Sequence, residues 1–112
     1  MMLTVEKLRA WGANVDEGLV RCLNNETFYV TLVNKAIQDS NFEALPAACA
    51  AGDLDKAFNA AHALKGMLAN LALTPILDPV SQITELLRAR TSMDYTPLLT
   101  EIANAHSAVL AL

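Results

Sequence analysis

Apolar positions in this chain recur at intervals of three and four residues, the period of helices that bury one face. The clearest case ends the chain: Leu98, Ile102, Ala105, Val109 and Leu112 stand at i, i+4, i+7, i+11 and i+14, a stripe that must face a core. Earlier, Tyr29, Leu32, Val33 and Ala36 repeat in the same way on a helix that Asn25 can cap. Two shorter helices are expected before it. One, "TVEKLRAWG", is capped by Thr4 and stops near Gly12, with Leu8 and Trp11 on one side; the other, "DEGLVRCL", follows Asp16.

Punctuation divides the rest. Ser40 and Glu43 have the spacing of a capping box and open a helix ending at Gly52, in which Pro46 predicts a kink or a proper start only at Leu45. Asp53 then caps a helix that runs to about Leu71. The next one starts at Thr74 before Pro75 or at Asp78 before Pro79, and ends near Arg90. This is an all-α pattern. Its last four substantial helices, joined by short turns, predict an antiparallel four-helix bundle with short additional N-terminal helices. Residues 1–112 form one domain on this reading, with 1–38 as the N-terminal helices and 40–112 as the bundle core.

Composition agrees: 54% of the residues are hydrophobic, only six of the 112 are aromatic, and Ala and Leu, which lose little entropy on a helix, dominate. A net charge of -4 argues against nucleic acid as a partner, because phosphate-backbone binding needs clustered Lys and Arg. No apolar run reaches the length of a membrane span and no basic leader precedes one, so no membrane association and a cytoplasmic location are expected. Cys22 and Cys49 lack the spacing of a zinc site and read as reduced packing residues.

The informative stretch is "AHALKGMLANLAL", Ala61 to Leu73, where one histidine interrupts an apolar, alanine-rich helix. On a wheel of about 100° per residue, Ala57, Ala61, Leu64, Leu68 and Leu71 fall roughly 100° to 180° from His62, and Leu54 about 80°. Asp55, Phe58, Asn59, Lys65, Gly66 and Ala69 lie within about 60° of it, on the solvent face. Gly66 there costs up to about 1 kcal/mol against alanine. Lys65 offers a cation to an anion held on the imidazole, and Phe58 an exposed apolar contact. Periodicity alone leaves two readings open: a surface histidine beside a glycine that relieves packing against a neighbouring helix, or a histidine offered to another molecule.

The segment "AGDLDKAFNAAHALKGMLANL" resembles the histidine-containing phosphotransfer (HPt) domain, whose hallmark is H-x-L-K-G; His62, Leu64, Lys65 and Gly66 match it position for position. The likeness extends through "NNETFYVTLVNKAI" upstream and "LTPI" and "ELLRAR" downstream, roughly from Asp16 to the end. Met67 and Leu68 are bulkier than the small residues many relatives carry there. The resemblance implies a phosphorelay intermediate, a phosphocarrier without autonomous catalytic activity. His62 would accept a phosphoryl group from the aspartate of a receiver domain, or from a hybrid sensor histidine kinase, and pass it on. Lys65 would stabilise the phosphoryl oxygens, and Phe58, Asn59, Gly66 and Ala69 would dock the partner. No cofactor or metal site is implied in this chain, because the receiver brings the Mg²⁺.

His106, at the margin of the last apolar stripe, reads as a partly buried boundary residue, and Trp11 and Tyr95 as packing residues. The opening methionines favour a stand-alone protein over a piece of a sensor kinase. A second reading keeps the helical scaffold as a binding module that docks a receiver or regulator without transferring phosphate. An independent hydrolase or metal enzyme has no supporting constellation of residues.

Overall fold

In the computed structural model, which describes residues 2–112, polar side chains cap four of the seven helices at their amino ends. Thr4 Oγ1 accepts the amide of Lys7 and starts α1, Val5–Trp11. Asn14, rather than Asp16, starts α2, Val15–Arg21, by accepting the amide of Glu17. Asn25 caps α3, Glu26–Ala36, and Asp53 caps α5, Leu54–Asn70, as their positions predict. No strand is present among the described residues, and the protein is all-helical.

The expected capping box does not form. Ser40 has helical backbone angles and its side chain makes no capping hydrogen bond, and the Asp39 carboxylate takes the Asn41 amide at 2.8 Å instead. The helix that follows, α4, Asn41–Ala50, carries Pro46 in its interior and so begins four residues before Leu45. Of the two possible starts for α6, Thr74–Arg88, the earlier one is used. Pro75 lies in its first turn and Pro79 inside, and the helix ends two residues short of Arg90. The last helix, α7, Thr96–Leu110, buries Ile102 and Val109 from the predicted stripe, with Leu98, Ala105 and Leu112 half-buried beside them.

α5 packs along α4 on one side and along α6 on the other, and α6 packs in turn on α7. Ala57, Ala60, Ala61, Leu64 and Leu68 bury the inner face of α5, and Ile76, Val80, Ile83 and Leu87 that of α6. Small side chains on α5 let its neighbours come close; branched ones on α6 fill the space between. The connections at 51–53 and 71–73 are three residues each, so helices that follow one another in the chain are also neighbours in space.

The N-terminal helices close the carboxyl end of α5. A helix leaves its last four carbonyls without internal partners. Here Arg21 donates to the carbonyl of Ala69 at 2.8 Å, the Tyr29 hydroxyl to that of Leu71 at 2.9 Å, and the Asn14 amide to that of Ala72 at 2.9 Å. The Arg21 charge also complements the negative end of the helix dipole. Gly18 makes this approach possible, since a Cβ there would lie 2.5 Å from Cε1 of Tyr29 and 2.8 Å from the Leu71 carbonyl oxygen.

Alanine at position 18 gains about 1 kcal/mol in helix propensity, against strain of about 1–3 kcal/mol from overpacking onto a buried ring and a backbone oxygen. Gly18→Ala is therefore expected to destabilise the fold, read as a lower urea midpoint with unchanged slope. The same junction sets a pH limit. Burial, aided by Cys22 and opposed by Arg9, pushes the Tyr29 hydroxyl up to about 12. Unfolded chains release this proton near the ordinary tyrosine value of about 10, so its contribution is complete below that pH and lost as pH rises toward the folded value. Comparing urea midpoints of wild type and Tyr29→Phe from neutral pH upward checks this: part of the wild-type alkaline loss should be missing in the variant.

Candidate functional site

With its inner face buried between α4 and α6, α5 turns the opposite strip to solvent. His62, Asn59, Gly66 and Ala69 are exposed on that strip, where the wheel puts them. Phe58 is not the open apolar contact expected from sequence; it is half-buried, because α6 leans a side chain over it. The His62 ring stacks on Phe58, with centroids 5.5 Å apart and planes 16° from parallel. The Arg88 guanidinium lies 5.0 Å from the Phe58 centroid. The imidazole thus rests on a phenyl ring that is itself held by a cation, a contact of about 0.5–1 kcal/mol at an accessible position.

Lys65 stands one turn from His62 and is also drawn toward α6. Its Nζ lies 3.6 Å from Glu85 Oε2, and that same oxygen accepts from Arg88 Nε at 3.3 Å. The hydrogen bond from Arg88, with the Arg88 and Lys65 charges, holds the Glu85 carboxyl below the usual glutamate range, although desolvation opposes it more strongly than either charge alone favours it. The side chains of this trio are 35%, 56% and 51% accessible for Lys65, Glu85 and Arg88, so each pair contributes only about 0–1 kcal/mol and yields readily to a stronger partner. Further along, Arg90, just past the end of α6, pairs with Asp55 of α5 at 2.6 Å. Between them and Phe58 lies an open cleft of about 390 Å³.

Gly66 separates the two sequence readings. A Cβ built on it meets nothing within 4 Å, so no neighbouring helix requires a glycine there. The packing explanation fails for Gly66, whereas it holds for Gly18. Met67, pointing the other way, packs half-buried beside Leu32 and Leu71.

Glu85 and Arg88 are functional-site neighbours that the reading of the solvent face omitted. Their i, i+3 spacing on one helix was visible as a local ion pair. That the pair meets Lys65 and Phe58 depends on how α6 docks on α5, which no local pattern carries.

His106 forms the contrast. Its ring stacks on Phe42 at 3.8 Å and 9°, and its Nε2 lies 2.6 Å from the Ile37 carbonyl oxygen, so it ties α7 to α4 and to the end of α3. It is a boundary packing residue, as expected. Trp11 is half-buried against the core and Tyr95 is buried. Cys22 is buried and Cys49 half-buried, both as free thiols. Among the described residues, no three His, Cys, Asp or Glu side chains converge in a way that could hold a metal ion. No helix among them is long and apolar enough to cross a membrane.

The family model of the Hpt domain matches residues 34–112, which takes in the last turn of α3 and all of α4 to α7. No curated protein and no solved structure matches the chain. The matched span contains the exposed histidine, the lysine one turn on and the open glycine, so the sequence pattern and the strip on α5 coincide. The chain belongs to the Hpt domain family, whose members are phosphocarrier modules that take part in histidine phosphotransfer within phosphorelays.

Proposed function

We propose that His62 accepts a phosphoryl group from the phospho-aspartate of a receiver domain and hands it to another, making the protein a phosphorelay intermediate. The observation that carries this is Gly66: a glycine on an exposed helix face, with open space around it, gives up helix stability for room that the fold itself does not use. Room beside a nucleophile is what an incoming active site needs.

The chemistry balances without a further reactant. The lone pair of one unprotonated imidazole nitrogen forms the P–N bond while the P–O bond to the receiver's aspartate breaks, and that electron pair leaves on the carboxylate. The other ring nitrogen keeps its proton, so none has to be removed in the step. Phe58 fixes the plane of the ring. Lys65 stabilises the phosphoryl oxygens, and Asn59, Gly66 and Ala69, with the edge of Phe58, form the surface on which the receiver docks. Mg²⁺ belongs to the receiver, and this chain supplies the acceptor.

In this reading the scaffold is an antiparallel four-helix bundle, residues 40–112, with residues 1–38 added as N-terminal helices to make one domain. The successive packing of α4, α5, α6 and α7 supports it, and so does the stacking of Phe42 on His106, which joins the first of these helices to the last.

Incubation with receiver domains radiolabelled on aspartate should place an acid-labile, alkali-stable phosphate on the wild type and none on a folded His62→Gln variant. Undiminished label on His62→Gln would remove His62 as the acceptor, and a receiver that docks without transferring label would favour the binding-module reading. For Gly66→Ala the two readouts should move in opposite directions. Helix propensity alone raises stability by about 0.5–1 kcal/mol, or several degrees in Tm, while transfer slows as the new methyl group enters the docking face. Unchanged transfer in this more stable variant would mean that the glycine leaves no room that the partner uses.

A further inference from the structure

Resting on the carrier reading, the shared carboxylate on α6 points to a regulation of the same site. One oxygen of Glu85 holds two cations, Lys65 Nζ at 3.6 Å and Arg88 Nε at 3.3 Å. Arg88 in turn covers Phe58, the ring on which His62 stacks. Every cationic group in this cluster beside His62 is thus engaged by a single carboxylate before any phosphoryl group arrives.

We infer that Glu85 is a positioning residue that competes with a phosphoryl group on His62 for Lys65 and Arg88, and thereby sets how far the transfer equilibrium lies toward phospho-His62. The competition follows from charge and exposure. A phosphoryl group brings about two negative charges where the carboxylate has one, so it wins the ammonium from an accessible, weakly held pair. Winning is not free: the pair must first open, and the carboxylate left behind repels the new anion. The first effect stabilises the unphosphorylated form and the second destabilises the phosphorylated one, so both move the equilibrium away from phospho-His62. A carrier needs this, since a phosphoryl group held too tightly is not passed on.

In the transfer itself the P–O bond at the receiver's aspartate breaks and the P–N bond at His62 forms, with the electron pair leaving on the aspartate carboxylate as above. Glu85 takes no part in bond making; it acts through the two cations.

The test is the equilibrium ratio of label on this protein and on a receiver that loads it, approached from both directions, for wild type and Glu85→Gln. Glutamine keeps the shape and removes the charge. The ratio should shift about two- to fivefold toward phospho-His62, the range expected from an exposed ion pair. In a Lys65→Ala background the same substitution should move it less, because the cation it would release is gone. Docking affinity affects how fast the ratio is reached and cancels from its final value, so a role confined to docking or to fold stability leaves it unmoved. A ratio in Glu85→Gln equal to that of wild type, with both proteins labelled and folded, overturns this inference alone. Failure of the wild type to take label from receivers that dock on it removes the carrier reading and this inference together.

Discussion

The placement of the exposed strip on α5 depends on the burial of one stripe, Ala57, Ala60, Ala61, Leu64 and Leu68, between α4 and α6. Fixing that stripe fixes the rotation of α5 about its axis, and with it the side from which His62 projects. His62 lies opposite this buried face and is exposed. The alanines matter as much as the leucines, because they let α5 sit close to both neighbours and bring Arg88 and Glu85 of α6 over the edge of the exposed strip. The exposed strip and its neighbours on α6 are therefore placed by helix packing.

Local signals were legible wherever a single side chain or spacing determined the outcome. Thr4, Asn25 and Asp53 cap the helices they were expected to cap, and the stripe of α7 faces inward. The outward direction of His62 came from the same periodicity. Ser40 failed as a cap because its backbone is already helical, a conformation that its spacing to Glu43 cannot report. The start of α2 lies at Asn14, two residues before the expected piece, and the Asn14 amide also bonds to the Ala72 carbonyl, a contact that the local sequence does not report. What lay out of reach was contact between helices. The pattern offers Lys65 as a cation for an anion on the imidazole and Phe58 as an exposed apolar contact; in the fold Lys65 is paired with Glu85 and Phe58 is covered by Arg88, both on α6.

The two helical glycines show how the same residue type records different demands. At Gly18 the space is filled by Tyr29 and the Leu71 carbonyl; at Gly66 it is empty. Sequence gives both the same helix propensity, about 1 kcal/mol below alanine. Only the surroundings reveal that the first cost is recovered inside the molecule, while the second has no internal return and directs attention to what lies outside.

The fastening of the last turn of α5 by Arg21, Tyr29 and Asn14 bears on where this molecule can be divided. All three donors precede residue 34, where the family match begins, yet their acceptors, the carbonyls of Ala69, Leu71 and Ala72, lie in the last turn of the helix that carries His62 and in the two residues that follow it. The boundary drawn by sequence similarity thus cuts through a physically continuous unit. A fragment restricted to the matched span would retain every residue of the exposed strip and lose the clasp that closes the histidine helix at its end. For this protein, the segment that the family does not describe is a structural part of the module that it does.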